Sequence, residues 1–195
     1  MRTDDPNFWN MMFDQEVYAF GEAPNHYLKE KLETLKPGKV LLPGDGEGRN
    51  AVYCAQQGWA VSAFDISQKG KEKADKLANK HNVSIDFKVG DVPEVPYKEN
   101  YFDALILIFA HFMPNKRREY HKKLLSYLKP GGKLILEGHS RTNTEGVDIR
   151  FNLEELRTDF EDVEFIEAVA KMTQLNEGRI ITGDTNVVQI FGEKL

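Results

Sequence analysis

The sequence predicts an α/β protein with a doubly wound sheet, and three observations carry that prediction. A buried strand at 39–42 runs into a turn with glycines at alternate positions (44, 46 and 48), and a helix pattern follows at once. Strand and helix patterns then alternate through five strands, which favours a parallel sheet with helices on both faces. Two more strand patterns close the chain, joined by a hairpin signal at 176–178. We therefore predict a seven-stranded, three-layer α/β/α fold with a final antiparallel pair at one edge.

Length and composition predict a single domain over 1–195. A hydrophobic content of 41% and a charged content of 29% are ordinary for a globular protein. The sequence has no run of about 18 apolar residues and begins with a polar, acidic stretch, so we expect a cytoplasmic protein without a membrane partner. The single cysteine, Cys54, excludes an internal disulfide and is expected in the core. A net charge of −5 argues against a nucleic-acid partner.

The first 36 residues are predicted to form an aromatic cap and a helix in front of the core at 37–195. Residues 1–22 look irregular and carry Phe8, Trp9, Phe13, Tyr18 and Phe20. They form either a cap that buries its rings or a lid over a ligand site. A helix begins at Pro24-Asn25, with leucines 28, 32 and 35 on one face, and ends at 36–38.

Apolar periodicity and capping residues predict the remaining elements. In order they are a helix at 51–57 ended by Gly58, a strand at 60–65, a helix from Ser67 to about 81, a strand at 83–90, a central strand at 102–109, a helix at 115–128, a sharp turn at 129–132, a strand at 133–137, a polar loop, a short helix capped by Asn152, and strands at about 163–175 and 179–192. The basic residues of the helix at 115–128 form either a solvated face or a phosphate-binding surface; they are Lys116, Arg117, Arg118, Lys122 and Lys123.

The glycine turn by itself admits two kinds of nucleotide cofactor. Glycine allows positive φ angles and close approach of a ligand to the backbone, and the N–H groups of the following helix point at the turn. Gly46-x-Gly48-x-x-Ala51 matches a dinucleotide fingerprint. Gly44-x-Gly46-x-Gly48 resembles the turn of class I S-adenosylmethionine-dependent methyltransferases, which in that family faces the amino-acid end of the cofactor. The rest of the chain has to decide between them.

Five motifs, which follow one another along the chain, favour the interpretation of the turn as Gly44-x-Gly46-x-Gly48. They are the stretches at 18–25, 43–50, 63–67, 90–92 and 128–132. Through them the chain resembles the class I S-adenosylmethionine-dependent methyltransferases over nearly its whole length, and it looks most like their small tellurite-resistance-type, or thiopurine-methyltransferase-like, branch. The resemblance implies a Rossmann-like sheet with an antiparallel last strand at the edge. It also implies S-adenosyl-L-methionine as the cofactor and S-adenosyl-L-homocysteine as the product.

The resemblance also implies a set of cofactor-binding residues. The methionine part would be wrapped by Gly44, Asp45, Gly46 and Gly48, the ribose hydroxyls would be bound by Asp65, and the adenine by the Asp91 carboxylate and the Val92 N–H. The motifs further place Tyr18, Arg49, Asn50, Ile66, Phe109 and Ala110 at the cofactor. Asp65 is otherwise a surface acid near a helix start, and Asp91 a turn former. Many members carry an acid where this chain has Leu42 and Pro43, so Asp45 or a turn carbonyl would have to bind the cofactor's ammonium group.

Four side chains are candidates for the acceptor side. His111, at the end of the fourth strand, is a candidate general base or a packing histidine between two phenylalanines. Glu137, His139 and Arg141 come at or just past the end of the fifth strand, and ligands of open α/β sheets bind outside the carboxyl ends of strands. Arg141 would suit an anionic acceptor or is a surface arginine, and Glu137 is a catalytic or a structural group. The histidines show no metal-ligand spacing, so no metal is expected.

The predicted function is methyl transfer to a small-molecule acceptor such as a thiol, a chalcogen oxyanion or a similar nucleophile. The cofactor carries an already activated methyl group, so a base is needed only for an acceptor of high pKa. Residues 109–112 lack the Asp/Asn-Pro-Pro-aromatic motif of nucleic-acid amino-methyltransferases. A non-catalytic cofactor-binding or scaffold protein and an NAD(P)-dependent oxidoreductase are the alternatives. The expected oligomeric state is a monomer or a weak homodimer.

Overall fold

The computed structural model describes residues 4–141 and 148–195, and these form one sheet with helices packed on it. The elements in chain order are α1 (Pro6–Phe13), α2 (His26–Leu32), β1 (Lys39–Pro43), α3 (Arg49–Gln56), β2 (Ala60–Asp65), α4 (Gln68–Lys80), β3 (Asp86–Val89), β4 (Phe102–Ile108), α5 (Pro114–Tyr127), β5 (Leu128–His139), α6 (Leu153–Asp159), β6 (Val163–Glu177) and β7 (Ile181–Lys194). Part of the predicted polar loop after β5, residues 142–147, lies outside the described residues.

The sheet has seven strands in the order β3-β2-β1-β4-β5-β7-β6. The first five strands pair in parallel, and β7 pairs antiparallel with both β5 and β6. The predicted fold class, mostly parallel with antiparallel pairing at the edge, is therefore confirmed. Within the terminal pair the last strand takes the inner position and β6 the outer one. The reason is that β7 is buried on both faces at Val187, Val188 and Ile190, whereas β6 exposes Ile166 and Met172.

The core consists of two apolar layers, one on each face of the sheet. Alternate residues of β4 point into the two layers, with Leu105 and Leu107 in one and Ile106 and Ile108 in the other. Helices α5 and α6 pack on the first layer, and α2 and α3 on the second. The prediction that the most apolar strand lies at the centre is confirmed, because β4 is the fourth of the seven strands.

Most of the predicted element boundaries hold to within a few residues. The strand at 60–65 is found as predicted, and Ser67 caps α4 through a hydrogen bond from the Gly70 N–H to its Oγ of 3.0 Å. Asn152 caps α6, accepting from the N–H groups of Glu154 and Glu155. Cys54 is fully buried in α3, and burial raises the pKa of its thiol, which confirms it as a core residue.

Four predictions about local structure are corrected. The N-terminal stretch contains a helix, α1, capped by the Asp5 carboxylate, where irregular chain was expected. Strand β3 is shorter than predicted, and the glycine turn at 129–132 lies within β5, between the residues that pair with Phe102 and Ala104. Arg117 is buried instead of solvated, because its guanidinium donates to the carbonyl oxygens of Asp148 (3.1 Å) and Ile149 (2.8 Å).

In the part of the chain that the structure describes, no helix is long and apolar enough to cross a membrane.

Gly48 brings the turn after β1 into close contact with α4. Its φ is +85°, and a Cβ at this position would lie 2.4 Å from the Cβ of Ala74 and 2.7 Å from its Cα. Both the left-handed backbone and the missing side chain are therefore required. Gly48, the third glycine of the turn, is therefore a packing residue. It is not among the described residues that line the cleft presented below.

We expect Gly48→Ala to lower the free energy of unfolding by about 2–4 kcal/mol, because it combines left-handed strain with an overpacked contact. Gly131→Ala is the matched control, since Gly131 has a φ of +78° but no atom within 4 Å of the place that an added methyl group would take. Its loss should be only about 1–2 kcal/mol. Urea unfolding measures both variants, and equal losses would contradict the packing role.

Candidate active site

A cleft opens at the carboxyl ends of the first four strands, where ligands of open α/β sheets bind. Each strand end contributes a short stretch to the lining: residues 44–46 after β1, 65–66 after β2, 90–91 after β3 and 109–111 after β4. Aromatic residues from the N-terminal segment and the start of α5 form its outer wall; they are Trp9, Phe13, Phe20 and Phe112. The topology thus gathers in one place residues that are up to about a hundred positions apart in the chain.

The glycine turn forms the floor of the cleft through its backbone. Gly44 and Gly46 have φ angles of +64° and +57°, and the Gly44 N–H donates to the Phe64 carbonyl at 2.7 Å. A Cβ on Gly44 would lie 3.3 Å from the Cβ of Ala110, and one on Gly46 would lie 3.2 Å from the ring of Phe13. Side chains at these positions would fill the space above the turn, so the glycines leave a cradle of bare backbone.

Two carboxylates stand beside this cradle. Asp65 accepts hydrogen bonds from the N–H groups of Gly46 (3.0 Å) and Ser67 (2.9 Å), and burial raises its pKa to about 6. Asp45 accepts from the Ala51 N–H at 3.2 Å, and burial, with the nearby Asp65 charge, raises its pKa to about 7. Both carboxylates are poorly solvated and line the cleft, so they can bind donors or cations of a ligand.

Asp91 and Tyr120 mark a further part of the cleft, at the end of β3. The Tyr120 hydroxyl donates to one carboxylate oxygen of Asp91 at 2.6 Å, and burial together with this bond raises the pKa of Tyr120. The other oxygen accepts the Val92 N–H at 2.8 Å. Val92 itself is buried in the core, so the N–H predicted for adenine already has a partner here. Tyr120 lines the cleft from α5, and nothing in the sequence pattern of that helix indicated this position.

His111 lines the cleft, yet both of its ring nitrogens are engaged. Nε2 accepts the His139 N–H at 3.2 Å, so Nδ1 carries the proton and donates to the Ile149 carbonyl at 3.0 Å. Burial lowers the pKa of the ring to about 3, and the ring stacks 4.4 Å from that of Phe151. A neutral histidine without a free lone pair is no general base. The structure contradicts that prediction and agrees with the alternative of a packing histidine.

Glu137 and Arg141 lie away from the cleft. Glu137 is buried, its pKa is raised by burial, and its two oxygens accept from Asn25 Nδ2 (2.7 Å) and Gln189 Nε2 (3.0 Å). Arg141 is buried and donates to Glu155 at 2.6 Å. Their predicted catalytic roles are therefore corrected to structural ones. The sequence could not show this, because their partners come from α2, α6 and β7.

Arg49 and Asn50 line the cleft and connect it to a buried polar network. The Arg49 guanidinium forms an ion pair with Glu177 at the end of β6, and both side chains are buried. Asn50 accepts the Asn25 N–H at 3.0 Å, and Asn25 also donates to Glu177 at 2.5 Å. The network fixes the start of α3, and with it the glycine turn, against the hairpin of β6 and β7.

The N-terminal segment covers the cleft from the α4 side. The Asn10 side chain accepts from the Ser67 hydroxyl (2.7 Å) and the Lys69 N–H (3.1 Å), which anchors α1 at the start of α4. Trp9, Phe13 and Phe20 line the cleft from this segment, and Phe13 is buried against Gly46. This placement suits the predicted cap, and opening of the segment as a lid stays a prediction.

Tyr18 and Glu47 hold the same segment in place and do not line the cleft. The Tyr18 hydroxyl donates to the Lys73 carbonyl at 3.0 Å, with the Lys73 ammonium 4.5 Å above its ring. Glu47 is buried, accepts the Ala19 N–H at 2.8 Å and pairs with Lys73 at 2.5 Å. The structure thus places Tyr18 outside the predicted cofactor site. Glu47 was missed, although an acid between two turn glycines was a visible signal.

Phe109 leaves β4 in a strained conformation. Its φ is +52°, which is rare for a residue with a ring, and its N–H donates to the Glu137 carbonyl at 2.7 Å. This turn directs Ala110 toward Gly44 and His111 toward β5.

Lys116, from the basic face of α5, lines the cleft, and its ammonium lies 3.6 Å from the Asp4 carboxylate. Among residues 4–141 and 148–195, no cluster of three metal-ligating side chains occurs.

Comparisons with known proteins agree with this architecture. Residues 40–132 match a family model described as a methyltransferase domain. A probable S-adenosyl-L-methionine-dependent methyltransferase TehB from Haemophilus influenzae is 24% identical over 149 residues, which are 73% of this chain and 52% of the relative. A demethylmenaquinone methyltransferase from Renibacterium salmoninarum is 34% identical over 101 residues, covering 51% of this chain and 41% of that protein. The chain spans about half the length of the curated relatives it matches.

Solved structures share the fold over nearly the whole chain. The crystal structure of TehB from Haemophilus influenzae has a TM-score of 0.75 at 17% identity, covering 97% of this chain and 67% of that one. A structure concerned with conversion of a disulfide bond into a thioacetal group in echinomycin biosynthesis has a TM-score of 0.77 at 19% identity, covering 97% and 89%. The predicted resemblance to class I S-adenosylmethionine-dependent methyltransferases is confirmed. The similarity to TehB agrees with the tellurite-resistance-type branch that the sequence suggested.

We expect His111 to stay neutral, with its proton on Nδ1, throughout the pH range 5–8, because burial holds its pKa at about 3. Nitrogen-15 NMR of the ring distinguishes the two neutral tautomers and the cation. The ring nitrogen resonances that disappear in the His111→Gln variant are those of His111. Titration of this ring with a midpoint near 6.5 would contradict the assignment and restore His111 as a candidate base.

We expect Asp45→Asn to change the pH dependence of stability. The folded-state pKa of Asp45, about 7, lies above its ordinary value, so the folded protein binds the proton more tightly and loses stability as pH rises from about 4 to about 7. The asparagine variant lacks this loss. The two proteins should be equally stable near pH 4, and the variant about 1–3 kcal/mol more stable at pH 8. Urea unfolding at both pH values measures the difference, and a constant difference would refute the shift.

Proposed function

We propose that this chain transfers a methyl group from S-adenosyl-L-methionine to a small-molecule acceptor, in particular a thiol, a chalcogen oxyanion or a similar nucleophile. One observation carries the proposal. A bare glycine turn after β1, the carboxylate of the last residue of β2 and a carboxylate after β3 line a single cleft. The methyltransferase domain match over 40–132 includes all three of these strand ends.

The residues of the cleft fit this cofactor. The positive-φ glycines 44 and 46 leave a cradle that a Cβ would fill, which suits the methionine part. Asp65 can accept hydrogen bonds from the ribose hydroxyls, and Asp91 from the adenine amino group. Many class I methyltransferases carry an acid where this chain has Leu42. Asp45 lies at the glycine turn and would take the place of that acid, since its ionised carboxylate attracts the ammonium group of the cofactor. When bound, the cofactor supplies an activated methyl group on a sulfonium ion.

The acceptor class follows from what the cleft wall provides. Trp9, Phe13 and Phe112 supply apolar surface that excludes water and holds an acceptor in line. The histidine in the wall, His111, has no free nitrogen, so the cleft favours acceptors that attack without giving a proton to the protein. Thiolates and chalcogen oxyanions are such acceptors.

Thermal unfolding with S-adenosylmethionine, S-adenosylhomocysteine and NADH tests the cofactor. A ligand at about 100 times its dissociation constant adds about 2.7 kcal/mol of stability. For a chain of this length Tm should rise by roughly 5–11 °C with the two adenosyl-sulfur ligands. Asp65→Asn should reduce that rise, whereas Asp86→Asn, on the exposed part of β3, should retain it. A rise with NADH alone would refute the proposal.

A methyl-transfer assay with labelled cofactor tests the acceptor. We expect turnover with thiols or chalcogen oxyanions and at least a tenth of the wild-type kcat in His111→Gln, because the ring does not carry the proton of the acceptor. Loss of about 100-fold or more in a variant that still binds the cofactor would show that a base is used. Cofactor binding without turnover of any acceptor would favour the scaffold alternative.

A further inference from the structure

Strand β6 leaves a long backbone edge without a partner. It is the outermost strand of the sheet and runs for 15 residues, and no strand pairs with its outer side within 4–141 and 148–195. Unpaired edges of this length are usually covered or shielded by charges, since they can pair with another chain. Here the middle of the edge carries apolar side chains in solvent: Ile166 is 60% exposed, Val169 36% and Met172 70%. The edge therefore presents both unpaired backbone and apolar surface.

The side chains of this edge complement themselves under a two-fold rotation. An antiparallel pairing centred on Val169 sets Glu167 opposite Lys171 of the partner subunit, and Lys171 opposite Glu167 of the partner subunit. It also sets Ala168 opposite the partner's Ala170, and Val169 opposite the partner's Val169. Because facing residues of paired strands share a face, each charge meets its opposite and the exposed Val169 meets its own copy.

Other registers lose this match. A two-fold centred on Ala168 or Ala170 sets Glu167 opposite Val169 or Thr173 of the partner subunit, and Lys171 opposite Phe165 or Val169 of the partner subunit, so neither charge has a counterion. A register shift in the pairing with β7, between Phe165 and Glu167, bounds the regular segment at one end. Glu167 is also oriented by Lys31, whose ammonium lies 2.6 Å from its carboxylate.

We propose that a second copy of this chain pairs with β6 along residues 167–171, in the register centred on Val169, and joins the two seven-stranded sheets. The interface is isologous, because the same edge acts on both subunits. It is formed by one strand and its side chains, so it is small, and its dissociation constant is on the order of 1–100 µM. The interface lies outside the cleft, and this inference does not depend on the proposed reaction.

Sedimentation velocity over a concentration series tests the association. Wild-type protein should pass from monomer to dimer in the micromolar range. Lys171→Glu places two carboxylates opposite each other at both ends of the pairing and should weaken the dimer at least tenfold. Lys76→Glu, the same charge change at an exposed residue of α4, which packs on β2 and β3 at the opposite edge of the sheet, should leave it unchanged. A wild-type monomer at 500 µM, or equal effects of the two variants, would overturn the proposal.

Cysteine cross-linking tests the register itself. Residue 169 alone lies opposite its own copy, so Val169→Cys should give a disulfide-linked dimer under mild oxidation. Met172→Cys is the control, because residue 172 is more exposed but lies six positions from its own copy along the strand pair. The native Cys54 is fully buried and should not cross-link. Equal cross-linking of the two variants, or cross-linking of Met172→Cys alone, would overturn the register, and an absence of dimer in both would overturn the pairing.

Discussion

The close approach of backbone at the turn after β1 is the constraint on which the rest of the structure depends. Gly44, Gly46 and Gly48 all adopt positive φ, so the chain passes within van der Waals contact of Ala110, Phe13 and Ala74. Each of these neighbours belongs to a different part of the fold: the end of β4, the N-terminal helix and α4. A side chain at any of the three glycines would push one of those parts away, and the cleft that they enclose would open.

A buried polar network fixes that turn against the far end of the sheet. Arg49 at the start of α3 pairs with Glu177, and Asn25 joins Glu177 and Glu137 at the start of α2. Buried charges are tolerated only when they are paired, so these groups depend on one another. The consequence for the cleft is indirect: the network fixes the glycine turn that forms its floor.

The cleft combines ionisable carboxylates with a neutral histidine. Burial raises the pKa values of Asp45 and Asp65 and lowers that of His111, because it stabilises the uncharged form of each group relative to the charged one. A cationic ligand with hydroxyl donors offsets the cost for the carboxylates. No such partner faces the histidine, whose nitrogens are bound to backbone groups. The same burial thus makes one side of the cleft suitable for a cofactor and leaves the other side without a base.

The sequence by itself determined the elements and their alternation, because periodicity and capping act over a few residues: Ser67, Asn152 and the strand at 60–65 were predictable from their neighbours alone. It also predicted that Asp65 and the glycine turn lie at one site, since a strand end and a motif locate them, and both line the cleft. Only the tertiary structure decided the roles of His111, Glu137 and Tyr18. Their hydrogen-bond partners are 28 to 112 positions away, and local pattern carries no information about such pairs. For the same reason the inner place of β7 and the open edge of β6 emerged only when the strands were packed together.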